Sequence, residues 1–333
     1  MHTVLVTGGA GFIGSHLVDQ LLEEGAAVRV LDNLSTGSVA NLRSTTERHS
    51  RRGGIVNGSR LEVIIGDVRD REVLRKALRN VKYVFHLAAL PASAVRMADG
   101  GSVHAVNVEG TLNVLYGSLT EGVWRLVFGS SASVYGTPAM LPVTEDASLR
   151  PMSLFAASKV AAETYCRTFH ARHQLETVML RYFDVYGPRQ RGDGDSIVPG
   201  LVEAVRQRRP VVDHDERSGG DFLYVEDAVA ATLAAARAPR AAGHVINIGA
   251  GETSSIGDLL RIVGDLLRTA GIPGCAPNGE SQLRRIGANT LLAGELLDFK
   301  PRVSLISGLA RTVRSLTSPD EMELLDSDAL EVR

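Results

Sequence analysis

Three glycines, Gly8, Gly11 and Gly14, stand three apart between an apolar run, Val4 to Val6, and the helical pattern Ser15 to Leu22. Strand, tight turn and helix in that order put unpaired N–H groups and a positive dipole end at the helix start, which suits a pyrophosphate. Gly8 and Gly11 lack the Cβ that would hold a ligand off the backbone, and Gly14 lets the helix close on the strand. Phe12 and Ile13 ride in the same turn. A second strand, Ala27 to Leu31, ends in Asp32, 18 positions beyond Gly14. A carboxylate at that spacing accepts from both hydroxyls of an adenosine ribose and repels a 2′-phosphate. The ligand this set suits is NAD rather than NADP.

A second set lies near the middle of the chain. Arg125 to Phe128 reads as a strand running into Gly129-Ser-Ser-Ala-Ser-Val-Tyr-Gly136. Serines at the carboxyl end of a parallel strand lie where open α/β sheets hold their ligands. Phe155 and Lys159 follow, four apart and therefore on one helix face. His86 ends a strand, where a histidine is more often a satisfied core residue than a catalyst. The small Ala88 and Ala89 leave room for a nicotinamide ribose and the pyrophosphate. Asn107 is polar on an otherwise packing helix and is a candidate to order an active-site water or Lys159. Cys166 and Cys275 lie far apart without metal or redox spacing, so idle thiols are expected and no metal site.

These residues need a frame, and the alternation of periods supplies one. Strand patterns at Leu61–Ile65, Val81–Leu87, Val178–Pro188 and Val245–Gly249 interleave with helical patterns at Val106–Leu115, Ile197–Arg206 and Val225–Leu233. Such alternation predicts an α/β, Rossmann-type doubly wound parallel sheet, and the length leaves room for a smaller α/β lobe, a candidate substrate-binding lobe. The expected division is 1–178 and 221–249 for the dinucleotide-binding domain and 179–220 and 250–317 for the lobe. The tail 318–333 carries six acids and one arginine and reads as a solvated end. Asn33 to Gly37, with Ser35, reads as a loop over an adenosine, and Ser44 to Arg60 as a solvated loop. Val211 to Gly220 reads as a small edge strand and turn. Ser255 and Asp258 form a capping-box pattern before a helix whose stripe, Ile256, Leu259, Leu260, Val263 and Leu267, is core.

Composition narrows the partners. The 333 residues suffice for two lobes, and 44% hydrophobic with 22% charged residues is ordinary for a globular enzyme. A formal charge of −2 argues against nucleic acid and membrane surfaces, which demand a basic excess. The immediate first strand and the lack of long apolar runs predict neither signal peptide nor membrane span, and hence a cytoplasmic protein.

The succession TGGAGFIG, DNLSTG, GDV, HLAA, VNVEGT, SSASVYG, SK, RYFDVYGPRQ, DFLYVEDA and INIGAGE resembles the extended short-chain dehydrogenase/reductases, specifically the NAD-dependent epimerase/dehydratase family acting on nucleotide sugars. The resemblance covers Thr3 to about Thr317 and within the family is greatest to uridine-diphosphate-sugar 4-epimerases. It implies a tightly bound NAD, a transient keto sugar, and a homodimer formed by helix pairing. It also implies cofactor contacts from Asn33, Ser35, Gly37, Asp67 at the adenine, Val68 and Leu87, and from Lys159. Ser131, four before Tyr135, matches the residue that hydrogen-bonds the sugar hydroxyl, with Ser133 a second candidate. The lysine of the Tyr-x-x-x-Lys motif is matched by Lys159. Substrate contacts implied by the resemblance are Ser131, Tyr182, Asp184, Val198, Tyr224 and Arg284, the last matching a diphosphate arginine.

Three departures set this chain apart. Phe155 stands where the resemblance implies the tyrosine base, and a benzene ring neither takes nor returns a proton. That leaves a change introduced to trap substrate, a base moved elsewhere, or a chain that no longer turns over. Asp184 stands where the family usually carries a substrate-contacting Asn; the carboxylate is a hydroxyl ligand, an acid/base or a harmless exchange, the last being the foremost expectation. Gly220 stands where an arginine usually grips the diphosphate, with Arg217 close enough to substitute. The expected activity is modification of a nucleotide-linked sugar, foremost 4-epimerisation; the alternatives are an unusual dehydratase acting on a nucleotide sugar or nucleoside, and an inactive NAD-binding regulator.

Overall fold

A computed structural model describes residues 3–42, 60–91, 100–192, 196–212, 217–267, 275–276 and 286–317. Seven strands form one parallel sheet: β1 (Thr3–Thr7), β2 (Ala27–Asp32), β3 (Leu61–Ile65), β4 (Val81–His86), β5 (Arg125–Ser131), β6 (Glu176–Tyr182) and β11 (Val245–Ile248). Their order is β11-β6-β5-β4-β1-β2-β3. The chain thus reverses direction of growth between β1 and β4, the crevice where doubly wound sheets hold ligands. Because all seven strands run parallel, their carboxyl ends share one side of the sheet.

Helices cover both faces because the strands are apolar on both. On one side Val4, Val6, Val28 and Val30 pack against Leu17, Val18 and Leu21 of α1 (Phe12–Glu23) and against α7 (Val225–Arg237). On the other, Leu5, Leu31, Val84 and Leu126 meet α2 (Arg71–Leu78), α4 (Gly110–Thr120) and α5 (Leu154–His173). Helix α3 (Gly100–His104) reaches α4 through a π-helical turn, Ala105–Glu109. Asp70 accepts from the amides of Glu72 and Val73 to start α2, and Ser153 accepts from Ala156 to start α5. The sequence expected one helix from Val106; the extra residue per turn at Asn107 breaks that simple period.

Beyond β6 the chain builds a second core. Strand β7 (Asp184–Tyr186) pairs with β10 (Phe222–Tyr224), and the residues Tyr186, Val198, Phe222, Ile256 and Leu309 are buried together. Around them stand α6 (Ile197–Arg206), α8 (Ile256–Leu266) and α10 (Leu305–Leu316). The expected capping box at Ser255 and Asp258 starts α8. Short strands β8 (Val211–Val212) and β13 (Cys275–Ala276) pair in parallel, and β9 (Gly219–Gly220) pairs antiparallel with β12 (Ser254–Ser255). Helix α9 (Leu291–Leu297) returns to the sheet beside β11. Met179 to Tyr182, beyond the expected boundary at 178, pair within the large sheet. Arg284 and the acidic tail lie outside the described residues. Among those described, no helix is long and apolar enough to cross a membrane, and none form a metal-ligand cluster.

Candidate active site

At the carboxyl ends of β1, β2, β4 and β5 lies a cavity of about 940 Å³. Gly8 takes φ +71°, and a Cβ there would stand 2.7 Å from the Ala88 nitrogen, so the two βα turns touch through bare backbone. A Cβ at Gly14 would collide with the Gly8 carbonyl. Helix α1 begins at Gly11 with neither a capping side chain nor an acid in its first turn. Its first amides are therefore left facing the cavity without internal partners, the arrangement a diphosphate needs.

The expected cofactor residues largely gather here. Gly8, Gly11, Phe12, Ile13, Gly14, Asp32, Asn33, Ser35, Val68, Leu87, Ala88, Ala89 and Lys159 all line this cavity. Asp32 is held by the amides of Ala10, 2.9 Å, and Leu34, 2.8 Å, which fix the carboxylate in place. Gly37, Asp67 and Asn107 do not line the cavity. A Cβ at Gly37 would lie 3.1 Å from Asp32 Oδ1. The Asn33 amide donates to Asp67, and the hydrogen bond from Arg69 above all holds the Asp67 carboxyl down at about 2. Asn107 accepts from the Leu90 amide at 2.7 Å and donates to Ser158 Oγ at 2.9 Å, so it braces the wall rather than Lys159.

His86 is a core residue. Its Nε2 lies 2.9 Å from Thr111 Oγ1, which itself donates to the Asn107 carbonyl, so Nε2–H donates and Nδ1 accepts from Thr7. Complete burial pushes its pKa down to about 3.

A smaller cavity of about 310 Å³ continues the first, sharing Phe12, Pro91, Ser130, Phe155, Tyr182 and Gln190 with it. Ser131, Asp184 and Val198 line it as well. Lys159 Nζ donates to the Gly129 carbonyl at 2.7 Å and lies 4.8 Å from the centre of the Phe128 ring. Burial lowers its pKa to about 8. Ser133, Tyr224 and Arg217 line neither cavity: the Ser133 hydroxyl is turned inside the protein, Tyr224 packs edge-on to Tyr186, and Arg217 is exposed.

Beneath the serine turn runs a buried polar chain. Ser130 Oγ donates to Glu163 at 2.5 Å, Glu163 takes two bonds from Arg181, and Arg181 donates to the Tyr135 hydroxyl. Tyr135 in turn donates to Asn247 at 2.6 Å. This chain ties β5, α5, β6 and β11 together under the site. Ser130, Arg189, Gln190 and Arg191 were not expected among the lining residues. The first adjoins Ser131 in the serine cluster and the others follow directly on the carboxyl end of β7, so proximity to a strand end was the available signal.

A seven-stranded doubly wound sheet, a glycine turn at its switch point and an acid ending β2 define a Rossmann-type dinucleotide-dependent protein. The sequence profile of the NAD dependent epimerase/dehydratase family matches residues 4–249. The chain belongs to that family, and its cofactor is NAD. It is 35% identical to a UDP-glucose 4-epimerase of Mycolicibacterium smegmatis over 315 residues, 93% of this chain and 96% of that one. A Thermotoga maritima UDP-glucose 4-epimerase solved with UDP-glucose superposes with TM-score 0.84 at 31% identity, over 94% of this chain and 98% of the other. A Thermus thermophilus UDP-glucose 4-epimerase solved with NAD gives 0.80 at 33%, with the same coverage.

Proposed function

We propose that this chain modifies a nucleotide-linked sugar through a transient keto intermediate, foremost by 4-epimerisation. The observation that carries the reading is the continuity of the two cavities. The glycine turn, Asp32 and Lys159 line the larger cavity, Ser131 lines the smaller, and Phe155 lines both at their junction. NAD, when bound, supplies the oxidant for the sugar carbon. The amides at the start of α1 hold its diphosphate and Asp32 its adenosine ribose.

In this reading the smaller cavity takes the sugar. Ser131 bonds the hydroxyl that loses its proton, and Lys159 supplies the positive charge that favours an oxyanion there. The second core, which gathers Tyr186, Val198, Phe222, Ile256 and Leu309 beyond β6, forms the substrate-binding lobe, and the likeness to UDP-sugar epimerases supports a uridine nucleotide. Phe155 supplies an apolar wall in place of a phenol. That favours a second reading, an NAD-binding chain without turnover, and Asp184 in the sugar cavity supplies the carboxylate an unusual dehydratase would use. The homodimer and a cytoplasmic location are part of the proposal.

Incubation with a panel of UDP-sugars, followed by NADH absorbance and product chromatography, tests the reading. A sugar inverted at C4 supports epimerisation, and a dehydrated sugar supports the alternative. NAD binding with neither product across the panel supports the chain without turnover.

A further inference from the structure

Two departures from the expected pattern, Asp184 and Gly220, meet in space. Gly220 sits in β9, fixed by its pairing with Ser254 of β12. A Cβ built there would collide with Asp184 Oδ2 and stand 3.1 Å from the Asp184 Cγ. The carboxylate thus occupies the space that any side chain at 220 would begin to fill. Neither backbone is free to yield. The Asp184 amide donates to the Asp221 carbonyl at 3.0 Å, and the Asp221 carboxylate is gripped by the amides of Ala250, Gly251 and Ala288. Of the clashing groups only the Asp184 side chain can rotate away.

We propose that Gly220 and Asp184 act as one specificity unit, the glycine admitting the carboxylate to the wall of the smaller cavity, where it accepts hydrogen bonds from the hydroxyls of a neutral glycosyl group. The proposal rests on the reading of that cavity as the sugar site. Asp184 lines the cavity with Ser131 and Phe222, and Phe222 also lies 3.8 Å from the position a Cβ at 220 would take. An ionised carboxylate has about four lone-pair sites, so it accepts from a substrate hydroxyl while keeping its protein contacts. A sugar hydroxyl donates to such a group, whereas a phosphate or carboxylate oxygen offers no proton to share. A side chain at 220 would turn this acceptor away from the sugar without touching the dinucleotide cavity, whose lining includes neither residue.

The test is calorimetric titration of UDP-glucose and of UDP into NAD-loaded wild type, Gly220→Ala, Asp184→Ala and the double variant, with NAD affinity and melting temperature measured on each. The expected result is UDP-glucose binding weakened about tenfold in each single variant, the scale of a lost charged hydrogen bond. The double variant should be no weaker than Asp184→Ala, UDP binding should be unchanged throughout, and NAD affinity should be unchanged. Additive losses, or Gly220→Ala with wild-type affinity for UDP-glucose, would overturn the coupling. Equal losses for UDP and UDP-glucose would overturn the assignment to the glycosyl group. Wild type that binds NAD but neither uridine ligand would overturn the proposed function, and the specificity unit with it.

Discussion

Lys159 Nζ lies 5.6 Å from the centre of the Phe155 ring, one turn away on α5, and the two residues face the same cavity. A buried ammonium at that distance stabilises a phenolate if the ring carries an oxygen. Phe155 carries none, so the charge is present without the base it would serve. Restoring the oxygen is the direct experiment. Phe155→Tyr should raise turnover about 10²- to 10⁴-fold, the usual contribution of a positioned acid–base group. Unchanged turnover in that variant, with activity lost in Lys159→Ala, would assign proton transfer to another group, and Ser131 and Asp184 would be substituted next.

Asp32 should decide between the two nicotinamide dinucleotides. Its carboxylate is fixed by two backbone amides and lines the cavity. Placing a 2′-phosphate against it sets like charges together, which costs several kcal/mol. Fluorescence titration of cofactor-free protein should show NAD bound about 100-fold more tightly than NADP, a gap that narrows in Asp32→Ala. Equal binding in the wild type would remove the residue from the ribose site.

Lys159 should also mark the alkaline stability of the fold. Its folded-state pKa is about 8, against an ordinary value of 10.5, because burial disfavours the ammonium. Between those values the unfolded chain binds the extra proton, so this residue makes stability rise with pH from about 8 to 10.5. The cost of the buried charge is fully present below pH 8. Urea unfolding across this range should show a rise in wild type relative to Lys159→Met, by up to about 3 kcal/mol. Parallel profiles for the two proteins would contradict it.

Glu163 and Arg181 should dominate the stability of the floor under the site. Both are almost wholly buried and joined at 2.7 Å. Removing Arg181 leaves Glu163 charged in the interior with only the Ser130 hydroxyl and the half-exposed Arg167, 3.8 Å away, at a cost of about 3–5 kcal/mol. Arg181→Ala should therefore lower the melting temperature sharply, while the double variant Glu163→Gln, Arg181→Met recovers part of the loss. A double variant no more stable than Arg181→Ala would refute the unpaired-charge account.

The residues Gly8, Gly11, Gly14 and Asp32 were legible in the chain because one strand-turn-helix unit and the next strand end fix them locally. Alternating periods likewise announce the parallel sheet, since a strand buried on both faces and an amphipathic helix each leave a pattern in their own few residues. Lys159 and Phe155 were legible as a pair for the same reason: four residues apart on a helix is a neighbour relation set by backbone geometry alone.

What only the tertiary structure decided are relations between residues far apart in the chain. Ser131 and Ser133 are alike in sequence, yet only the 3₁₀ turn after β5 separates the one that faces the cavity from the one turned inward. The bond from Ser130 to Glu163 spans 33 positions, and that from Tyr135 to Asn247 spans 112. Asp184 and Gly220 read as two unrelated changes until β10, which begins two residues after Gly220, pairs with β7 and sets Phe222 opposite Asp184. Local periodicity records which face of an element is apolar. It carries no record of which side chain from a distant element fills a given volume, because close packing assigns that only when the layers come together.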